Sequence, residues 1–185
     1  MVRVSESGAR PEAVTALDLP PLVTSPRLRL ELVTPDEAAD MLAGRRRRHW
    51  EPSYPRDDDC DAVAMVRADD PRPTWGPRHV IRAFDGLVVG SIGFFGPPEP
   101  ASDGVAEAEV GYGLVESARG HGVATEALGA LLAETDRLGV RVRASVLPEN
   151  EPSIRVLARC GFTELRGGDD RGELVMARPV PQPAR

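Results

Sequence analysis

The 185-residue sequence predicts an α+β (mixed α/β) domain built on a mostly antiparallel sheet that includes one parallel pair of strands. Three observations predict it. The apolar period is two over residues 107–114, switches to helical spacing over 124–138, and returns to two over 140–146; two strands joined by a helix run parallel. Asp85-Gly86 sits between two strand-like runs and marks an antiparallel hairpin. Length and a hydrophobic content of 41% suit one domain with a sizeable core.

Taken in order, residues 1–24 carry scattered Pro, Gly, Ser and Glu without periodicity and are expected to be a flexible extension to a domain spanning 25–180. Leu28, Leu30 and Leu32 alternate with Arg27, Arg29 and Glu31 as a first strand. Thr34-Pro35-Asp36-Glu37 supplies a cap, a proline for the first helical position and early acids; the helix continues through Ala38, Ala39, Met41 and Leu42. Arg45–Arg48 follow, either solvating a helix end or meeting an acidic surface. Trp50 and Tyr54 lie in the next loop, where aromatic rings line a substrate mouth or plug the domain edge. Both are candidate substrate-binding residues. Asp57, Asp58 and Asp59 open a short second helix, as acids at a first turn do.

Leu87–Phe95 is apolar almost throughout, which marks a central strand covered on both faces. Gly96-Pro97-Pro98 stops it. Ala108, Val110, Tyr112 and Leu114 then alternate with Glu107, Glu109, Gly111 and Gly113. Beyond the long helix, Val140–Val146 is the parallel strand and Asn150–Cys160 a helix with Ile154, Leu157 and Ala158 inward. Phe162–Arg166 and Glu173–Arg178 form a last hairpin, and 181–185 are a tail.

A net charge of −6 argues against a dedicated nucleic-acid binder. No apolar run or signal pattern points to a membrane, so a cytoplasmic protein is expected. Cys60 and Cys160 are in no metal-ligand spacing, and no metal is expected.

Between the strand ending at Leu114 and the helix lies Arg119-Gly120-His121-Gly122-Val123-Ala124. Glycines there leave N–H groups uncovered at a helix N-terminus, which attracts an anion such as a diphosphate. A G-x-x-x-x-G-K-[ST] loop is absent, and neither Gly111-x-Gly113 nor Gly120-x-Gly122 has the third glycine of a dinucleotide fingerprint. What remains, Arg119-x-x-Gly122-x-Ala124, resembles the acetyl-coenzyme A signature of the GNAT acetyltransferases. Asn150-x-x-Ser153 with Gly161-Phe162, and the Ala108–Leu114 strand, resemble the branch of ribosomal-protein N-terminal alanine and serine acetyltransferases.

The resemblance implies a GNAT-like fold, with two splayed parallel strands and helices on both faces of the sheet. It implies transfer of an acetyl group from acetyl-CoA, the co-substrate, to an amine acceptor that is a small molecule or a protein N-terminus. Backbone groups of Leu114 and Val115 would hold the pantetheine arm, the Arg119, Gly120, His121, Gly122, Val123, Ala124 and Thr125 loop the pyrophosphate, and Asn150 the coenzyme from the opposite strand end. Asn150 also reads as a helix N-cap. Glu109 is the candidate general base, with Glu107 in reserve. Leu157 stands where many family members have a proton-donating tyrosine, which leaves Ser153 as the candidate acid. The competing reading is an acyl-CoA-binding sensor or interaction module without turnover. Either would be a monomer or homodimer.

Overall fold

A computed structural model describes residues 18–70, 73–168 and 171–180. Its sheet runs in the order β1-β2-β3-β4-β6-β7-β9-β8, where β1 is Leu22–Thr24, β2 Leu28–Leu32, β3 Arg78–Arg82, β4 Val88–Phe94, β6 Ala106–Leu114, β7 Arg141–Val146, β8 Glu164–Gly168 and β9 Leu174–Arg178. The two-residue β5, Glu99–Pro100, pairs beside β6. Among the described residues, four α-helices complete the fold: α1 (Pro35–Leu42), α2 (Asp57–Val63), α3 (Val123–Arg137) and α4 (Glu151–Arg159). Every strand pair is antiparallel except β6 and β7.

The expected extension ends earlier than residue 24. Leu22–Thr24 form β1 against β2, and Leu19 and Val23 are buried in the core, so two apolar side chains hold a stretch whose composition reads as flexible. Residues 1–17 and 181–185, the rest of the expected extension and the tail, lie outside the described residues.

Local chemistry accounts for the helix starts. Thr34 and Glu37 form a reciprocal capping box at α1, satisfying backbone donors that the first turn leaves orphaned. Asn150 Oδ1 accepts from the Ser153 N–H at α4. α3 lays Ala127, Leu128, Leu131 and Leu132 against the sheet. Leu128 and Leu131 are fully buried, and each contributes about 1.5–3 kcal/mol in transfer free energy. On α4, Leu157 is buried but Ala158 turns outward, so the inward face is narrower than the spacing suggests.

Side chains of β6 assign the helices to faces. Tyr112 reaches Ser153 of α4, whereas a Cβ at Gly113 would point into Arg56 beside α2. Successive strand residues point to opposite faces. Even-numbered β6 residues therefore face α4, and odd-numbered ones face α2.

Candidate active site

The parallel pairing of β6 with β7 covers only Glu107↔Arg141, Ala108↔Val142 and Glu109↔Arg143. Beyond Glu109, β6 pairs with β4 alone, while Ala144, Ser145 and Val146 of β7 pair with β9 alone. The two strands splay. Phe95 N–H donates to Glu109 O, and Val115 N–H donates to Val89 O. Antiparallel pairs alternate, so odd-numbered β6 residues spend their backbone groups on β4, and Tyr112 and Leu114 turn theirs toward the gap.

A cavity of about 430 Å³ opens there. Its walls are the end of β6, the turn and first residues of α3, one face of α4 from Pro152 to Arg159, and Arg56 with Asp58 from the other face. Gly120 and Gly122 have φ of +79° and +76°, a conformation glycine enters without Cβ strain. Gly122 is the N-cap residue of α3 and offers no side chain; Glu126 is the first to donate back, to Gly122 O. The N–H groups of Val123, Ala124 and Thr125 are thus left for an anion, aided by the helix dipole. The Arg119 guanidinium folds back to Leu114 O, 3.0 Å away, and Arg155 and Arg159 of α4 line the opposite wall.

Long-range contacts hold this loop. Glu126 accepts from Ser25 Oγ (2.7 Å), Arg27 N–H (2.9 Å) and Arg27 Nε (2.6 Å), while Arg27 Nη1 donates to His121 O (3.1 Å). Burial opposes ionisation of Glu126, but these donors outweigh it and hold the carboxyl below the usual range. Ser117 Oγ donates to Glu51 at 3.0 Å.

On the α2 face, Arg56 donates Nε and Nη2 to the fully buried carboxylate of Asp59, at 2.9 and 2.8 Å. Asp59 also accepts from Ser91 Oγ at 2.5 Å, and Ser91 is the register partner of Gly113. The guanidinium lies flat on Gly113: a Cβ built there would be 2.0 Å from Nη2. Asp58, by contrast, is exposed at the cavity mouth.

The predicted residues distribute as follows. Leu114, Arg119, Gly120, Gly122, Val123, Ala124, Thr125, Asn150 and Ser153 line one cavity. Val115 is buried with its N–H committed to Val89, and the His121 side chain lies on the reverse side of the loop, in a second cavity. Glu109 shares the odd-numbered face with Gly113, and both its oxygens are engaged, by Ser145 Oγ at 2.7 Å and Arg143 Nη2 at 2.9 Å. Glu107 is held tighter. Burial pushes it up, but Arg141 and Arg166, at 2.5 and 2.7 Å, prevail and keep it below the usual carboxylate range, which makes it a poor proton acceptor.

Trp50 and Tyr54 do not line the cavity. Both are buried, packed edge-to-face at 5.6 Å, and Tyr54 Oη is 2.8 Å from His79 Nδ1. Burial raises the Tyr54 pKa well above the ordinary phenol value. The rings plug the core, and the expectation of a substrate-lining role is corrected. Arg46 explains why this loop folds inward: its guanidinium donates to the carbonyls of Glu51, Pro52 and Tyr54 within 2.8 Å. Arg45 and Arg47 pair with Asp40, so three of the four arginines, though at the surface, are spent on partners within the protein.

Among the lining residues that sequence reasoning missed are Arg56 and Tyr112. Arg56 has a readable signal only in the glycine it needs opposite. Tyr112, whose hydroxyl donates to Ser153 O at 3.2 Å, reads from the period merely as an inward strand residue. Burial pushes its phenol up to about 12, so it carries its proton at neutral pH. Among the described residues no group of His, Cys, Asp and Glu is arranged to hold a metal, and no helix is long and apolar enough to cross a membrane.

A family model for the acetyltransferase (GNAT) domain matches residues 27–163. The chain belongs to the GNAT acetyltransferase family. Among solved structures, a putative GNAT-family acetyltransferase from Bordetella pertussis is 26% identical with a TM-score of 0.58, covering 85% of this chain and 98% of its own. RimJ of Mycobacterium smegmatis, solved with CoA-disulfide, is 26% identical with a TM-score of 0.56, covering 86% and 85%. A putative ribosomal-protein-serine acetyltransferase from Vibrio cholerae shares the fold at 22% identity and a TM-score of 0.60, covering 86% and 97%. No relative among the curated proteins matches the chain. Among the described residues, the mixed sheet carries one parallel, splayed pair beside the glycine turn.

Proposed function

We propose that this GNAT protein moves the acetyl group of acetyl-CoA directly to a primary amine, a protein N-terminus or a small-molecule amine. The observation that carries the reading is one continuous cavity joining anion-binding donors at α3, the unpaired edge of β6, and the Arg56–Asp58 mouth on the other face. An extended chain with amide groups would bond to Tyr112 and Leu114 as a neighbouring strand does. The diphosphate would rest on the N–H groups of Gly122 to Thr125, and Asn150 would fix the coenzyme from α4.

In the chemical step the amine nitrogen attacks the thioester carbonyl carbon, the C–S bond breaks, and the thiolate needs a proton. A gap-facing N–H near Val110 would stabilise the oxyanion. Ser153 supplies the proton in this reading, with the protonated Tyr112 phenol beside it. Glu109, on the acceptor-side face, takes the proton released by the amine through water once Ser145 or Arg143 yields an oxygen. The sensor reading draws on those same two contacts, and on the buried Leu157 where a tyrosine donor is common.

Thiol release from acetyl-CoA, measured with a panel of peptides and small amines, separates the two. Turnover is expected with at least one amine class, and Glu109→Gln is expected to lower kcat more than coenzyme affinity, with the deficit shrinking as pH rises. Tight CoA binding with no thiol release across the panel would favour the sensor.

A further inference from the structure

The glycine turn between Leu114 and α3 has space on both sides. The candidate coenzyme cavity is on one side; on the other a second cavity of about 570 Å³ is lined by Arg27, Leu28, Phe84, Ser117, His121 and Val123, among others. The start of this turn is fixed by the buried Val115 and Ala118 and by the Val115 N–H bond to Val89 O, but its tip consists of two left-handed glycines, and a Cβ at Gly120 would meet nothing within 4 Å. The side-chain struts from distant segments are Ser117 to Glu51 near its start and Arg27 at its tip.

Arg27 is the more demanding strut. Its backbone N–H and Nε hold both oxygens of Glu126 in the first turn of α3, and its Nη1 holds the carbonyl of His121 at the tip of the turn. One side chain from the start of β2 therefore sets the position of the tip relative to the helix N-terminus. Its Nη2 lies 3.6 Å from a Cβ built on Gly122, so the guanidinium backs the N-cap residue itself. It does not line the coenzyme cavity. Its action runs through the loop.

We propose that Arg27 is a positioning residue for the diphosphate: bridging Glu126 and His121, it pre-forms the row of N–H donors that the anion meets. The inference rests on the coenzyme reading above. A loop ordered before binding saves the ligand the entropic cost of ordering it, so the effect appears in affinity for ligands that carry the diphosphate. A ligand that ends before the diphosphate does not feel it.

The test compares acetyl-CoA with acetylpantetheine, which lacks the diphosphate and nucleotide, by calorimetry and, for the weaker ligand, NMR titration. Arg27→Met is expected to weaken acetyl-CoA by about tenfold or more relative to its effect on acetylpantetheine, a loss of the size one preorganised contact contributes. Glu126→Gln, which keeps shape and loses charge, is expected to move the same ratio in the same direction, and Arg27→Lys to fall between Met and wild type because an amine cannot span both acceptors. Should Arg27→Met fail to fold, Arg27→Lys and Glu126→Gln carry the comparison. Equal losses for the two ligands would mean a merely structural role and would overturn the proposal, as would unchanged acetyl-CoA affinity. Wild-type protein that binds neither ligand would overturn the coenzyme reading along with it.

Discussion

Replacing Gly113 with alanine tests the contact between the sheet and the buried Arg56–Asp59 pair. The new methyl would be 2.0 Å from Arg56 Nη2 and 2.6 Å from Cζ. Ordinary contact needs ~3.5 Å, so the guanidinium must retreat by ~1.5 Å. Its bonds to Asp59, at 2.8 and 2.9 Å, then stretch beyond hydrogen-bonding range. Each charge-assisted bond contributes about 1.5–3 kcal/mol, and stranding a buried carboxylate costs about 3–5 kcal/mol at the extreme. Three features reduce this. Asp59 keeps Ser91 Oγ and the Arg56 N–H, the Arg56 side chain is 20% exposed and can reach water, and alanine recovers about 0.5–1 kcal/mol of backbone entropy in a strand. A net loss of ~2–3 kcal/mol is expected in urea unfolding. The decisive measurement is a double-mutant cycle: in an Arg56→Ala background the same Gly113→Ala change should cost ~0.5 kcal/mol or less. A cost that persists without Arg56 would refute the reasoning, because the clash would then be with something else.

Two further outcomes follow from the geometry. Gly122→Val puts a β-branched residue at φ +76° beside the open donors; it should weaken acetyl-CoA binding strongly, read by calorimetry, while circular dichroism shows the fold retained. Glu37 is held down to about 2 from 4.5, first by the His79 imidazole, whose Nε2 is 3.6 Å away, then by Thr34 against the opposing effect of burial. A depressed carboxyl stabilises the fold fully above about pH 4.5 and stops doing so as pH falls through about 2. Glu37→Gln should therefore be ~1–2 kcal/mol less stable than wild type at pH 7, with the difference vanishing in chemical unfolding near pH 2.

The parts of the site that were legible in the sequence are those whose chemistry is local. Gly120 and Gly122 announce a strained turn because no other residue takes that backbone cheaply, and Asn150 announces a helix start three residues before the N–H it accepts from. The strand–helix–strand period gave the parallel pair, since alternation records which side is buried. What the chain did not disclose depends on distant partners. Ser25 and Arg27 meet Glu126 about a hundred residues later, and nothing in either segment names the other. Trp50 and Tyr54 looked like mouth residues because they sit in a polar loop; Arg46, reading as one of four solvated arginines, is what turns that loop inward. Asp59 looked like its two acidic neighbours, yet the register of Ser91 with Gly113 buries it while Asp58 stays in water. Val23 and Leu19 are too few to make a period, so β1 was invisible until β2 offered them an edge.

The three-residue pairing of β6 with β7 also makes a pivot. Everything beyond it on that side, β7, β9, β8 and the α4 that packs on β7, joins the rest of the sheet at the Glu107–Glu109 segment. Contacts tie that half back across the gap and onto α3: the Tyr112 hydroxyl donates to the Ser153 carbonyl, Cys160 Sγ lies 3.7 Å from Thr125 O, and Arg178 pairs with Asp136. Tyr112, standing on one strand of the splayed pair and bonded to the first turn of α4, therefore links the width of the gap to the position of Ser153.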